Sequence, residues 1–201
     1  MKPKLLAQGA EAKIVLKDGF VIKDRVVKSY RIGELDLKIR TRRTKAETKL
    51  LGKAAGIINC VKPEKVKDAH KIKMGFIDGQ KLSECLDGFS LAMQKKIMRQ
   101  VGEQIAKLHE SQIIHSDLTT SNMILKDDKV YFIDFGLGYV SHRFEDKAVD
   151  LHLLKQALEA RHFKNWRVLF KEVETAYKRY KDSSKVFERL RKVEKRGRYR
   201  H

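Results

Sequence analysis

The segment from residue 115 to residue 136 carries polar side chains whose types and spacing suit phosphoryl transfer. His115, Asp117 and Asn122 stand in the pattern HxDxxxxN, and a DFG triplet that begins at Asp134 follows after one predicted hairpin. Phosphoryl transfer needs a carboxylate that orients the acceptor oxygen or takes its proton, and oxygen ligands for Mg²⁺. Asp117 fits the first role, and Asn122 and Asp134 fit the second.

Any one of these residues alone would more often be an ordinary turn residue. The joint pattern is more specific, because HxDxxxxN followed by a strand pair and DFG is typical of kinase catalytic loops. A site of that type also needs a lysine on a strand and an acidic partner on a helix. Lys23 and Glu47 are the candidates, and Lys23 is preferred over Lys28 because it belongs to a predicted hairpin.

The elements that must position these residues begin with β structure. Asp18-Gly19 favours a two-residue type I′ turn between strands at 13–17 and 20–23. A further strand could occupy 5–8, and a strand is predicted at 71–77. Between them, residues 34–55 have helical spacing, which places Ala46, Leu50 and Ala54 on one face and Glu47 one step away from it.

The rest of the chain is predicted to be mostly helical. Asp78-Gly79 marks the boundary. The predicted elements after it are a helix at 91–110 capped by Ser90, a hairpin of strands at 123–125 and 130–133, and helices at 145–160, 167–181 and 184–195. The prediction is therefore an α+β protein with a β-rich part at 1–77, which contains one main helix, and a helical part at 78–201.

A possible phosphate loop lies between the first two predicted strands. It comprises Gln8, Gly9, Ala10 and Glu11, at the place where a GxGxxG loop would cover nucleotide phosphates. It contains a single glycine, and a lone glycine is usually only part of a turn. Its backbone amides could still approach phosphate, because Ala10 is small.

Charge indicates an anionic partner. The 201 residues include 45 Lys and Arg against 26 Asp and Glu, for a net charge of +19, and such an excess is typical of proteins that bind nucleic acid, anionic surfaces or phosphate ligands. Residues 23–53 and 178–201 carry 15 of these excess charges. The first group could equally be a solvated helix face. The second ends in RGRYRH at 196–201, where arginine and tyrosine could contact RNA.

Several classes of protein are excluded by composition. No stretch approaches the roughly 18 uninterrupted apolar residues of a membrane span, and the N-terminus lacks the apolar core of a signal peptide. We therefore expect a cytoplasmic protein with no membrane contact. Cys60 and Cys85 stand apart without a nearby histidine, so both are expected to be reduced and structural.

Five segments together resemble the small atypical kinase subunit of the KEOPS complex, a family related to the RIO kinases. The resemblance spans nearly the whole chain. It is carried by QGAEA at 8–12, IKDRVVKSYR at 22–31, TRRTKAE at 41–47, HSDLTTSN at 115–122 and IDFG at 133–136.

This resemblance implies a minimal bilobal protein-kinase-like fold that binds ATP and Mg²⁺ between its lobes. It implies an ATPase or atypical Ser/Thr kinase that acts beside a large metalloprotein subunit and other KEOPS subunits in threonylcarbamoyladenosine modification of tRNA. Lys23 would contact phosphates and Glu47 would hold Lys23. Asp117 would be catalytic, Asn122 and Asp134 would hold metal, Phe76 and Ile77 would lie at the adenine hinge, and Asp150 would brace the catalytic loop.

Two departures from ordinary protein kinases keep other functions open. Ser116 replaces the arginine of HRD, and no APE motif follows DFG. ATP hydrolysis, or transfer to a bound partner or to the chain itself, is therefore easier to support than general protein phosphorylation. The alternatives are a small-molecule phosphotransferase and a non-catalytic RNA-binding scaffold with a vestigial nucleotide site.

Overall fold

A five-stranded antiparallel sheet forms most of the N-terminal part of the protein. The computed structural model describes residues 3–197. The sheet comprises β1 (Lys4–Gln8), β2 (Ala12–Lys17), β3 (Phe20–Arg25), β4 (Pro63–Glu64) and β5 (Lys71–Gly75) in the order β1-β2-β3-β5-β4. Asp18 and Gly19 both have positive φ, of 50° and 78°, which confirms the tight turn predicted between β2 and β3.

One long helix, α1 (Gly33–Ala54), packs against this sheet. The predicted helix is confirmed, and of the three residues predicted to share a face, Leu50 and Ala54 are buried. Ala46 is exposed, whereas Glu47 is buried together with Thr44 and Leu50. The buried face therefore combines apolar residues with the Glu47 carboxylate, which has buried cationic partners.

The C-terminal part is mostly helical, as predicted. Its elements are β6 (Gln80–Lys81), α2 (Leu82–Cys85), α3 (Leu91–Glu110), β7 (Ile113–Ile114), β8 (Met123–Lys126), β9 (Lys129–Phe132), β10 (Tyr139–Val140), α4 (Phe144–Arg161), α5 (Trp166–Tyr177) and α6 (Ser183–Gly197). The Met93 amide donates to Ser90 Oγ over 3.3 Å, which confirms the predicted cap. Sequence patterning missed β4, β6, β7 and β10, because two-residue strands are too short to show a period.

The predicted hairpin before the DFG triplet is also confirmed. β8 pairs with β9 through Lys126 and Lys129, and the two residues between them, Asp127 and Asp128, have positive φ. The hairpin returns the chain from the end of the HxDxxxxN loop to the start of DFG. Both chemistry-bearing segments therefore lie at the same end of β8 and β9.

The buried core joins α1 to the helical part. Leu50, Leu51 and Ala54 of α1 belong to the same buried cluster as residues of α3, α4 and α5. Just after α1, the Asn59 carbonyl accepts a hydrogen bond from the Phe132 amide of β9 over 2.9 Å. We propose that the two lobes meet after Ile77, where the chain leaves the sheet and enters the helical part.

Close packing between α3 and α5 depends on one glycine. A Cβ built at Gly102 would lie 2.5 Å from the Val173 carbonyl oxygen and 2.9 Å from Ala176 Cβ. These distances are too short for a side chain, so the two helices can approach this closely only with glycine at the crossing.

Both cysteines are free and half-buried. Burial raises the pKa of the Cys60 thiol to about 12, so this group stays protonated at neutral pH.

Within residues 3–197, no helix has the length and apolar character needed to cross a membrane. The last four residues of the predicted RNA-contacting tail, 198–201, lie outside the described residues.

Candidate active site

Lys23 lies at the centre of a group of charged side chains between the two parts of the protein. It is in β3, and only 7% of the residue is exposed. Its Nζ donates to Glu47 Oε1 over 2.7 Å and to Asp134 Oδ1 over 2.7 Å. A lysine from the sheet, a glutamate from α1 and the aspartate of DFG are therefore in direct contact across the cleft.

Arg25 is a second cation on Glu47 that the sequence analysis did not identify. Its Nη2 contacts Glu47 Oε2, while Lys23 contacts the other oxygen. All three side chains are buried. Arg25 lies two residues after Lys23 in one strand, so the two side chains point to the same face of the sheet. This alternation of side chains along the strand is the sequence signal that could have identified Arg25.

Asp134 occupies a strained backbone position that aims its carboxylate at Lys23. Its φ is 61°, which is uncommon for a residue other than glycine. The Gly136 amide donates to Asp134 Oδ1 over 3.0 Å. Desolvation would raise the pKa of Asp134, but the Lys23 ammonium and the Gly136 amide outweigh this effect and hold the pKa below its ordinary value. The carboxylate is thus ionised at neutral pH.

Gly136 is needed for this arrangement. A Cβ at that position would lie 2.9 Å from Asp134 Oδ1 and 3.2 Å from Lys23 Nζ. Both atoms belong to the charged group itself, so a side chain here would displace one of them.

Asp117 and Asn122 are joined by hydrogen bonds in the HxDxxxxN loop. Asn122 Nδ2 donates to the Asp117 carboxylate over 2.7 Å and to the Asp117 carbonyl over 2.9 Å. The amide nitrogen is used in this way, so the amide oxygen Oδ1 remains available to a ligand. This geometry suits an asparagine that offers oxygen to a cation.

A buried hydrogen-bond chain holds the start of this loop. Asp150 of α4 accepts from the His115 and Ser116 amides, each over 2.7 Å. Its Oδ2 also lies 3.2 Å from His109 Nε2, and His109 Nδ1 lies 2.8 Å from the Tyr177 hydroxyl.

The protonation states in this chain follow from burial. Desolvation lowers the pKa of His109, so the imidazole is neutral, with Nε2–H donating to Asp150 and Nδ1 accepting from Tyr177. Burial also raises the pKa of Tyr177, which keeps that hydroxyl a donor. Neither His109 nor Tyr177 was singled out in the sequence, because only the folded chain brings them to the loop.

A second histidine holds the other end of the loop. His162 is buried, and its Nε2 lies 3.0 Å from Thr120 Oγ1 while its Nδ1 lies 2.9 Å from Asp87 Oδ1. An ionised Asp87 carboxylate can only accept a hydrogen bond, so His162 Nδ1 donates to it. The other ring nitrogen, Nε2, then accepts a hydrogen bond from the Thr120 hydroxyl. The loop is therefore fixed on both sides of Asp117.

A cavity of about 400 Å³ opens beside the charged group. Apolar side chains from the sheet form much of its wall, and among the predicted site residues Lys23, Glu47, Phe76, Ile77, Asn122 and Asp134 line it. This size is within the usual range for small-molecule sites. Phe76 and Ile77 thus lie at the cavity, whereas Asp117 contacts it only through Asn122.

The possible phosphate loop lies outside this lining. Leu6 and Ala7 of β1 contribute to the cavity wall, but Gln8, Gly9, Ala10 and Glu11 do not, and all four are exposed. Glu11 forms an ion pair with Arg43 of α1 at 2.7 Å.

The donor set fits a nucleotide-bound Mg²⁺ better than a metal held by protein alone. Within residues 3–197, no group of three His, Cys, Asp or Glu side chains is placed to hold a metal ion. Asp134 and the Asn122 amide oxygen would supply two oxygen ligands, and the nucleotide phosphates and water would supply the others. This division of ligands is usual for phosphoryl-transfer sites.

Comparisons with known proteins agree with this geometry. The protein kinase domain family matches residues 21–160. The chain is 42% identical to "KEOPS complex subunit Bud32" of Pyrococcus abyssi, over 98% of this chain and 96% of that protein. It is 37% identical to "Probable serine/threonine-protein kinase BUD32 homolog" of Archaeoglobus fulgidus, over 95% and 94% of the two chains.

Longer relatives contain a region similar to the whole of this chain. One is "Probable bifunctional tRNA threonylcarbamoyladenosine biosynthesis protein" of Methanobrevibacter smithii, which is 40% identical over 98% of this chain. This chain spans 37% of that relative's length. The lysine, glutamate and aspartate in contact across the cleft, the family match and the near full-length identity lead to one conclusion: the chain belongs to the Bud32 family of protein-kinase-like KEOPS subunits.

Proposed function

We propose that the protein uses Mg-ATP as an ATPase or atypical Ser/Thr kinase within a KEOPS-type complex. The observation that carries the proposal is the position of Lys23 Nζ, 2.7 Å from both Glu47 and Asp134. This contact joins the sheet to the DFG segment beside a cavity of about 400 Å³. The HxDxxxxN loop contributes Asn122 to the same cavity.

Each side chain in the site has a role that its contacts support. Lys23 binds nucleotide phosphate, and Glu47 orients Lys23 through a buried ion pair. Asp117, held by Asn122, orients the acceptor oxygen or takes its proton. Asn122 Oδ1 and Asp134 would hold Mg²⁺, which when bound neutralises charge on the phosphoryl group in transfer. Phe76 and Ile77 would contact the adenine.

The acceptor is water, a bound partner or the chain itself. Ser116 stands where ordinary kinases have the arginine that binds a phosphorylated activation loop, and only short turns and β10 separate DFG from α4. This short connection supports ATP hydrolysis, or transfer to a bound partner or to the chain itself, over general protein phosphorylation.

The place of the protein in tRNA modification is supported by its relatives. One is named as a KEOPS subunit, and the longer ones are named as bifunctional tRNA threonylcarbamoyladenosine biosynthesis proteins. We propose that this chain acts beside a large metalloprotein subunit and other KEOPS subunits. Contact with tRNA through the basic tail and a cytoplasmic location are part of this proposal.

The proposal is tested by ATP turnover of the full chain. Asp134→Asn should reduce Mg²⁺-dependent turnover at least ~100-fold, because charge on a metal-bound phosphate is no longer stabilised. Asp128→Asn is a matched control. Asp128 also has positive φ, of 58°, but it is exposed in the β8–β9 turn, so turnover should be unchanged.

The same experiment identifies the acceptor. Turnover is measured with and without tRNA and the large subunit, and mass mapping locates any phosphate on protein. Equal turnover in the two Asn variants would overturn the site assignment. Failure to detect ATP binding by calorimetry would instead favour a non-catalytic scaffold.

A further inference from the structure

Four cationic side chains form a stripe along the outer face of α1. Arg42, Lys45, Lys49 and Lys53 are exposed, and at 100° per residue they fall within an arc of about 80°. The stripe is about 16 Å long at 1.5 Å per residue. We refer to these four residues as the α1 cationic stripe. It lies opposite the buried face of the helix.

The four charges of the stripe have no acidic partners within the described chain. The ion pairs of α1 with exposed partners use Lys38 and Arg43 instead, and Arg40 pairs with the buried Asp36. No carboxylate among residues 3–197 is within ion-pair distance of the four stripe residues.

The basic helix α6 is compensated at part of its cations. Lys185, Lys192 and Arg196 pair with Asp182, Glu188 and Glu145, at 2.8, 2.7 and 2.7 Å. Arg189, Arg191 and Lys195 of α6 form no ion pair within residues 3–197. At 100° per residue these three are spread over about 160° of the helix, whereas the four unpaired cations of α1 fall within about 80°. The unpaired charge is therefore more concentrated on α1.

The composition of the stripe favours a phosphate backbone over a membrane or a protein surface. A membrane-bound helix would have exposed Trp, Phe or Leu among its cations. The exposed leucines of α1, Leu35 and Leu37, precede the stripe by at least five residues, and Leu50, Leu51 and Ala54 beside it along the chain are buried. Protein interfaces are enriched in aromatic residues and depleted in lysine, and this stripe has three lysines and no aromatic residue. Lysine binds phosphate as a compact charge without reading bases.

We propose that the α1 cationic stripe binds the phosphate backbone of RNA. The choice of RNA rests on the proposed function, whereas the binding of phosphate rests on the stripe itself. A duplex carries about one negative charge per 1.7 Å of its axis, so 16 Å of helix faces several phosphates. The contact is independent of base sequence and separate from the nucleotide cavity, which none of the four residues lines.

The test measures binding of an unmodified tRNA transcript to the full chain over a range of salt concentrations. The variant R42Q/K45Q/K49Q should weaken binding about tenfold or more at low salt and reduce the slope of log K against log salt by about 2 to 3. The variant R42K/K45R/K49R keeps the charges and should keep the slope. The single variants R42Q and K49Q should each reduce the slope of log K against log salt by just under 1.

A control variant removes the same amount of charge from paired positions. Lys171, Lys185 and Lys192 are exposed and each has an acidic partner on its own helix or turn, so K171Q/K185Q/K192Q should change the slope much less. Equal slopes for the two triple variants would overturn the inference. A similar loss on a DNA hairpin of equal length supports phosphate recognition, whereas a loss on DNA alone would contradict the choice of RNA.

The two proposals fail separately. If deletion of residues 198–201 removes the salt dependence and the α1 variant does not, the stripe is excluded and the proposed function stands. ATP turnover without RNA should be unchanged in the α1 triple variant, since the stripe lies outside the cavity. If Asp134→Asn loses turnover but binds RNA normally, the inference about the α1 cationic stripe still stands.

Discussion

The two sides of the cleft hold their functional residues by different means. On the helical side, the HxDxxxxN loop is fixed by buried groups, with Asp150 at one end and His162 at the other. On the sheet side, Lys23 is held by ion pairs, and the loop from Gln8 to Glu11 is wholly exposed. The HxDxxxxN loop is thus preorganised by buried contacts, whereas the loop from Gln8 to Glu11 is held only by contacts at the surface.

The largest expected effect comes from removing the support of the helical side. Asp150→Ala leaves the His115 and Ser116 amides and His109 without their partner. Each buried donor left without a partner costs about 1–3 kcal/mol, so we expect reduced free energy of unfolding in urea and loss of ATP turnover. Asp150→Asn preserves the shape and should be milder, and an unchanged stability in both variants would contradict the bracing role.

The next largest effect concerns Arg25, on the sheet side of the cleft. Arg25→Met leaves Glu47 with Lys23 as its only cationic partner, so the carboxylate can turn away from Lys23. We expect the KM for ATP to rise about 3- to 10-fold with a smaller change in kcat. Arg25→Lys should restore part of the affinity. A fall in kcat alone would show that Arg25 does not act through phosphate binding.

Two glycines provide a matched pair across the cleft. In Gly136→Ala the new methyl group meets Asp134 Oδ1 at 2.9 Å, whereas in Gly9→Ala it meets nothing within 4 Å. We expect turnover to fall about tenfold or more in the first, as expected for misplacement of a catalytic group, and to change little in the second. A large loss in Gly9→Ala would show that this loop closes on the nucleotide.

The smallest effect is a dependence of stability on acid pH. The pKa of Asp134 is held below its ordinary value of 3.8 by Lys23 and Gly136, against desolvation. A lowered pKa contributes stability above 3.8 that is lost as pH falls through the folded value. The stability difference between wild type and Asp134→Asn should therefore shrink below pH 3.8 in a denaturation series. A difference that stays constant or grows would contradict the ion pair.

The sequence predicted the strands and helices well where local signals exist. Asp18-Gly19 and Ser90 each determine a turn or cap by their own chemistry, and both predictions are confirmed. The contact of Lys23, Glu47 and Asp134 was also expected, since the family pattern links them. Their catalytic roles stay predictions.

The supporting residues could not be found from spacing. His109 and Asp150 are 41 residues apart and meet only because α3 packs on α4. Thr120, His162 and Asp87 meet for the same kind of reason. Arg25 is different, because its alternation with Lys23 in β3 was visible in the sequence, and its partner Glu47 was already a candidate.

The backbone hydrogen bond between Asn59 and Phe132 anchors the chain to the helical part five residues after the C-terminal end of α1. Glu47 lies seven residues from the anchored end of the helix, about 10 Å away, whereas Gly33 is about three times as far. Any swing of α1 about this anchor moves its first turn through a much wider arc than Glu47. Opening of the cleft can thus carry the outer end of the helix outward while the carboxylate stays near its lysine.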